Sequence, residues 1–317
     1  VGTQVNRAAV TMICRSAATT AFPRGAWERG NFILIITMKT TTRIITALAI
    51  GLGMVSVHAE QPTLKVCTAE NEMPYSNKNG EGFENKLAQY VAAQLGRKLE
   101  TVTWTDPRYF IRDYVDKGLC DVVMGVDQGD PRLDTTAPYY RSGYVFISRS
   151  DDKLDLQNWD SEALRKAKRI AFMPGTPAET MLRAIGRYND MFNYQQELAG
   201  FKSKRNQYVK YENDKLVNEV ATGKAEIAIL WGPAAARYVK ASSTPLTMTV
   251  IPDNNKRADG EKVGFHYSTS IGVRKGDTAL LTQLNKLIKD QQDEIEELLE
   301  ADGIPLLDQP DTALSMN

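Results

Sequence analysis

Apolar positions alternate along this chain in two rhythms, and the first third shows both. Thr63-Leu-Lys-Val-Cys-Thr-Ala69 reads as a strand, followed by the turn-rich stretch Glu70–Gly80. Phe83, Leu87, Tyr90, Val91 and Leu95 then recur at helical spacing and stop at Gly96, a C-terminal glycine signal. Lys98–Trp104 predicts a second strand. Asp106-Pro107 predicts a helix start, with Asp at the N-cap and Pro at the first helical position, and the helix ends near Gly118. The apolar run Val122-Val123-Met124 predicts a third, buried strand that stops at Gly125. Strand, helix, strand, helix, strand implies right-handed parallel crossovers and hence an open α/β layer.

The stretch 120–147 organises the rest. After its strand comes a polar loop carrying Arg132, then Pro138-Tyr139-Tyr140, then the strand Tyr144-Val-Phe-Ile147, which leads away from the first layer. A second, similar lobe is expected beyond Ser148-Arg149-Ser150. Its parts are a helix over 161–168, the strand Arg169–Met173, the turn Pro174-Gly-Thr-Pro177 and the helix Ala178–Arg187. Residues 188–211 read as an irregular connection that ends in the strand Tyr208–Tyr211. The helix Asn213–Gly223, the strand Glu226–Trp231, a helix opened by Gly232-Pro233 and the strand Leu246–Ile251 follow. Ser268–Val273 crosses back to the first lobe. A single long helix over 278–300 is then predicted from Leu280, Leu284, Leu287, Ile288, Ile295 and Leu299, with its charges on a solvated face.

The expected organisation is therefore two lobes with two hinge crossings. Residues 60–146 and 268–317 build lobe 1, and 147–267 build lobe 2. Ahead of them, Met38, Lys39 and Arg43 precede the apolar run Ile44–Val57 and then Val57-His58-Ala59, the three parts of a secretory signal with cleavage after Ala59. That run is short for a membrane span, so no stable membrane insertion is expected. Residues 1–37 precede this signal and are read as lying ahead of the true start at Met38.

Composition narrows the chemistry. The 317 residues are 42% hydrophobic with zero formal net charge, and removal of the basic leader leaves a mildly acidic protein, a poor match for nucleic acid. Two cysteines remain in an oxidising compartment, Cys67 and Cys120, on strands expected to be neighbours. They form either one disulfide or two buried thiols. His266 is the one histidine after residue 59, so no histidine-rich metal site is expected and a Cys/His nucleophile pair has no local motif. Paired carboxylates such as Glu70 and Glu72 could serve acid/base chemistry, but so acidic a chain produces such pairs by chance.

The motifs Gly82-Phe-Glu84, Gly118-x-Cys-Asp-Val-Val-Met-Gly125 and Pro138-Tyr-Tyr-Arg-Ser142 resemble the type II periplasmic solute-binding proteins of ABC importers, the two-lobed venus-flytrap fold. Cys67, Phe83-Glu-Asn-Lys86, Cys120–Gly125 and Tyr139-Tyr-Arg-Ser-x-Tyr-Val-Phe146 are similar to a narrower branch, found beside quinoprotein alcohol dehydrogenases. The resemblance covers the chain from residue 60 onward. It implies a non-catalytic periplasmic accessory protein, monomeric when free and without a cofactor of its own. Its implied partner is a PQQ-dependent methanol dehydrogenase, contacted through the large subunit.

Against the amino-acid binders of that family, the cleft residues can be weighed one by one. Such a binder needs an Arg fork for a carboxylate, helix N-terminal N–H groups and an acid for the ammonium. Arg132 lies in the matching loop, and its other reading is a surface pairing with Asp130 or Asp134. Gly175-Thr176 can present N–H groups to an anion, or can be ordinary turn chemistry. Trp231-Gly232-Pro233 stands where those binders carry an acid, leaving Asp127 or Glu72 as substitutes from the other lobe. Tyr75, Tyr139, Tyr140, Tyr144, Trp231 and Tyr267 gather near the cleft and hinge, as stacking surfaces for a ligand or partner or as hinge packing. The runner-up expectation is a receptor holding a small anionic or amino-acid-like solute.

Overall fold

A computed structural model describes residues 61–104, 106–188 and 212–309. The expected leader, the connection after Tyr188 and the strand Tyr208–Tyr211 lie outside these residues.

The described part is a two-lobed α/β protein whose main sheet continues from one lobe into the other. The strands are β1 (Thr63–Ala69), β2 (Asn71–Glu72), β3 (Ser76–Asn77), β4 (Lys98–Trp104), β5 (Val122–Asp127), β6 (Asp134–Thr135), β7 (Tyr140–Arg149), β8 (Ile170–Phe172), β9 (Ile227–Trp231), β10 (Leu246–Val250), β11 (Asn255–Lys256), β12 (Lys262–Val263) and β13 (His266–Val273). The main sheet runs β4-β1-β5-β13-β7-β9-β8, with β10 on β7 and β6 on β13, and β2-β3 and β11-β12 are two separate two-stranded ribbons. β1 is parallel to β4 and β5, as the crossover pattern requires. The joint is β7. Its residues Tyr140–Gly143 pair with β13, and Tyr144–Ile147 pair with β9 instead.

Each lobe has its own apolar packing. In the first, Leu64, Val66 and Val122 on the sheet meet Leu87 and Val91 of the helix Phe83–Gln94, and Leu284, Ile288, Ile295 and Leu299 near the C-terminus. On the sheet's other face Cys67, Trp104, Ile111, Val115 and Cys120 pack together. In the second lobe, Phe146, Ile170, Phe172 and Ile229 face the helix Pro177–Ala184. Val145, Ile147 and Ala228 face the helix Asn213–Ala221.

Three local expectations are corrected. The strand does not stop at Gly125; it continues to Asp127, because Gly125 adopts φ 69° within it, a conformation open to glycine. Asp106 does not cap a helix. Its carboxylate accepts the Arg108 backbone N–H at 3.0 Å and pairs with the Arg108 guanidinium, and the helical segment is instead a π-helical turn, Ile111–Val115. The predicted long helix is two, Thr278–Asp290 and Gln292–Ala301, broken at Gln291 with φ −129°. Tyr90 Oη donates to Gln291 Oε1 at 2.7 Å and Gln292 Nε2 donates to Tyr139 O at 3.2 Å, so side chains of both lie against lobe 1 at the bend. The apolar stripe runs through the break, which is why periodicity alone could not reveal it.

Candidate functional site, a cavity at the strand ends of the first lobe

Parallel strands leave their C-terminal loops around a crevice where open α/β sheets place ligands. Here β1, β4 and β5 end around a cavity of about 570 Å³, lined wholly by residues between Cys67 and Arg132. Gly82 shapes its wall. A Cβ there would stand 2.0 Å from the Tyr75 carbonyl oxygen, so only glycine lets the loop 70–80 lie against the helix start. Asn85 Oδ1 accepts N–H groups from Asn77 and Gly82 at 3.0 and 3.2 Å and fixes this approach, which places Tyr75, Ser76 and Glu84 on the lining.

Four of the residues singled out from sequence meet at this cavity: Glu72, Tyr75, Asp127 and Arg132. Gly175, Thr176 and Trp231 do not line it. The ionisable lining is Glu72, Glu84, Asp127 and Asp130 against Arg108 and Arg132. Arg132 is held by its neighbour: Nε donates to Asp130 Oδ1 at 3.0 Å and Nη2 to Asp130 Oδ2 at 2.6 Å. This fork holds the Asp130 carboxyl below its usual range against the opposing effect of burial, and raises Arg132.

Gly175 and Thr176 form the turn before the helix Pro177–Ala184 of the second lobe. Gly175 takes φ 75°, and its N–H donates to Glu179 Oε2 at 2.7 Å, while Thr176 Oγ1 donates to Met173 O at 2.6 Å. Glu179 also accepts from Arg183 at 2.7 Å. The position where this turn could meet an external anion thus holds a carboxylate of the chain itself.

Trp231 ends β9 and joins an aromatic group at the lobe crossing. Its ring centroid lies 5.4 Å from Tyr144 and 5.8 Å from Tyr267. Tyr144 also meets Phe265 at 5.7 Å. The Trp231 indole N–H is buried and has no hydrogen-bond partner among the described residues. Tyr267 donates to Gly264 O at 2.8 Å, and its hydroxyl pKa is pushed up to about 12, by burial first and then by Asp253 and Asp127.

Cys67 and Cys120 are joined in a disulfide with Cα atoms 5.6 Å apart. It ties β1 to the residue two positions before β5, directly beneath the cavity that Cys67 lines. Among the lining residues that sequence reasoning missed are Thr68, Glu84 and Trp104. Thr68 Oγ1 and Trp104 Nε1 are buried without partners among the described residues. The one signal for them was position, since both sit at the C-terminal ends of predicted parallel strands. Among the described residues no three His, Cys, Asp or Glu side chains are grouped to hold a metal ion, and no helix is long and apolar enough to cross a membrane.

Comparison with known proteins matches residues 64–301 to the bacterial extracellular solute-binding proteins, family 3. Protein MoxJ of Methylorubrum extorquens is 44% identical over 246 residues, covering 77% of this chain and 82% of that relative. Protein MoxJ of Paracoccus denitrificans is 40% identical over 250 residues, covering 78% and 91% respectively. The crystal structure of MxaJ from Methlophaga aminisulfidivorans superposes with a TM-score of 0.72 at 49% identity, over 77% of this chain and 100% of that one. With its two-lobed α/β architecture and matches that span both lobes, the chain belongs to family 3 of the bacterial extracellular solute-binding proteins.

Proposed function

We propose that this chain is a non-catalytic periplasmic accessory protein of a PQQ-dependent methanol dehydrogenase. It assists that enzyme's maturation or assembly through contact with the large subunit, on a scaffold inherited from solute receptors. The similarity to MoxJ and MxaJ supports the methanol-oxidation setting. One observation carries the loss of receptor chemistry: the groups a receptor would direct at an anionic solute are already engaged within the chain. Arg132 is forked by Asp130, and the Gly175 N–H is taken by Glu179. Trp231, which cannot neutralise an ammonium group, ends β9 in the aromatic cluster. A two-lobed scaffold that has lost its clamp still offers a partner large, hinged surfaces. The test is direct binding of the exported protein to purified dehydrogenase, in parallel with a solute screen by thermal unfolding. Binding to the enzyme with no solute response supports the accessory role; a solute response with no enzyme binding overturns it.

A second reading, a solute receptor, is favoured by one feature, the Thr68 hydroxyl and Trp104 indole, which have no hydrogen-bond partner among the described residues, on a cavity of about 570 Å³. The acidic majority of the lining makes an anion the wrong solute for it. A neutral or cationic molecule with a hydrogen-bond acceptor fits better.

A further inference from the structure

The segment Pro305–Asp308 crosses β7 where that strand changes lobes. Leu307 N–H donates to Arg141 O at 2.9 Å, and Leu306 forms an isolated antiparallel bridge with Ser142. The Ser142 hydroxyl donates to Pro305 O at 2.5 Å. On its other side Pro305 lies against Gly232, the first residue of the second-lobe helix Gly232–Lys240. A Cβ on Gly232 would stand 2.6 Å from Pro305 Cγ and 2.7 Å from Gly143 O. The same helix reaches the first lobe through Arg237, which donates to Glu81 O at 2.8 Å, and Lys240, which donates to Ala301 O at 2.7 Å. One short strap therefore touches both lobes at their crossing.

His266 stands at the same crossing, paired with Gly143 at the start of β13. Its Nε2 lies 2.8 Å from Ile251 O, which fixes Nε2 as the protonated nitrogen and leaves the Nδ1 lone pair outward. Nδ1 faces Arg141 Nη2 at 3.5 Å, and Arg141 Nη1 donates to Asp308 O at 3.1 Å. The charged groups around the ring are Arg141 on β7, Asp253 in the loop after β10, and Lys262 on β12. Burial, Arg141 and Lys262 disfavour the imidazolium, while the Ile251 carbonyl and Asp253 favour it. The balance leaves the pKa below the ordinary 6.5.

We propose that Pro305–Asp308 is a latch on the lobe crossing, held while His266 is neutral and loosened when His266 takes up a proton. The proton can add only at Nδ1, where the new N–H meets a guanidinium that has no acceptor to offer. Arg141 must then turn away and release Asp308 O. The contacts of Pro305 and Leu306 with Ser142 remain, so the strap frays from its Asp308 end, the adjoining Leu307 N–H opens from Arg141 O, and the lobes gain freedom to hinge. This inference stands on contacts outside the cavity and is independent of the accessory role proposed above.

The test is residue-resolved amide hydrogen exchange on the whole protein, stepped from about pH 7.5 to about pH 4.5 and corrected for intrinsic exchange. The Leu307 amide should lose about tenfold or more of its protection in acid, while Ile229 in β9 keeps its own. His266→Gln is neutral at every pH and can still donate to Ile251 O, so it should keep Leu307 protected throughout. Gly232→Ala drives Pro305 off the helix and should expose Leu307 even at neutral pH. The proposal is overturned by an acid loss of the same size in His266→Gln, by unchanged Leu307 protection in acidified wild type, or by a Gly232→Ala protein with wild-type protection at neutral pH.

Discussion

Asp130 grips Arg132 at two points, Oδ1 to Nε at 3.0 Å and Oδ2 to Nη2 at 2.6 Å, two residues apart in the chain. The arginine that sequence alone offers to a solute is thus tied down locally, with its side chain still 55% exposed at the cavity rim. Arg132→Ala should lower the unfolding free energy by about 1–3 kcal/mol, because the Asp130 carboxylate, only 11% exposed, loses its guanidinium partner. Urea unfolding measures this. Dehydrogenase binding should be unaffected, and a large loss of binding would place Arg132 in the partner surface instead.

The Cys67–Cys120 disulfide closes a loop with a sequence separation of 53 residues. The chain-entropy model assigns such a loop about 4 kcal/mol, lost when both cysteines become serine. Denaturant unfolding of the double variant under two-state conditions checks this. The cavity should suffer with it, since Cys67 lines it and Trp104 packs beside the bridge.

Gly82→Ala should destabilise the first lobe by about 1–3 kcal/mol, the usual cost of forcing atoms into a packed site. The obstacle is the Tyr75 carbonyl oxygen, 2.0 Å from the new Cβ, and backbone cannot rotate aside as a side chain can. A thermal melt reads the loss. Gly96→Ala is the contrasting case: it crowds nothing within 4 Å but must hold φ 63°, so its cost is conformational alone.

Acid should unfold the protein in two stages with different owners. The pKa of His266 is lowered, first by burial, so as pH falls the unfolded chain binds that proton before the folded one. Its contribution is complete above the unfolded value of about 6.5 and is lost as pH falls from there toward the folded value. The carboxyl of Asp130 is also lowered, chiefly by the Arg132 fork. Its contribution is complete above the unfolded value of about 3.9 and is lost as pH falls through the lower folded value. Chemical denaturation at a series of pH values should therefore show a first decline below about pH 6.5 that is absent from His266→Gln, and a later one that persists.

Much of this architecture was legible because strand and helix periods are local. β1, the helix Phe83–Gln94, β9 and the helix Asn213–Ala221 each carry their own apolar spacing and stop signals, so each could be placed from a short window. Gln291 was not legible, since the apolar stripe continues in phase across it and the break depends on contacts with Tyr90. Asp106 misled for a related reason: one short side chain can cap a helix or close a turn, and the nearby Arg108 decided for the turn. Of the cavity, the charged and aromatic lining stood out by residue type. Thr68 and Trp104 did not, because their significance lies in having no hydrogen-bond partner once buried, which no local pattern encodes. The engagement of Gly175 by Glu179 could have been anticipated from the Thr176-x-x-Glu179 pattern, in which an acid at the third helical position reaches back to backbone N–H groups at the helix start.

The most direct measurement is the equilibrium binding of this protein to purified PQQ-dependent methanol dehydrogenase, read by calorimetry at low and moderate salt. Saturable binding to the large subunit that survives Arg132→Ala is expected, with no stabilisation by amino acids or small anions in a parallel melt. Absence of enzyme binding at both salt concentrations, together with a solute that raises the melting temperature of wild type but not of Arg132→Ala, would contradict the accessory role and restore the receptor.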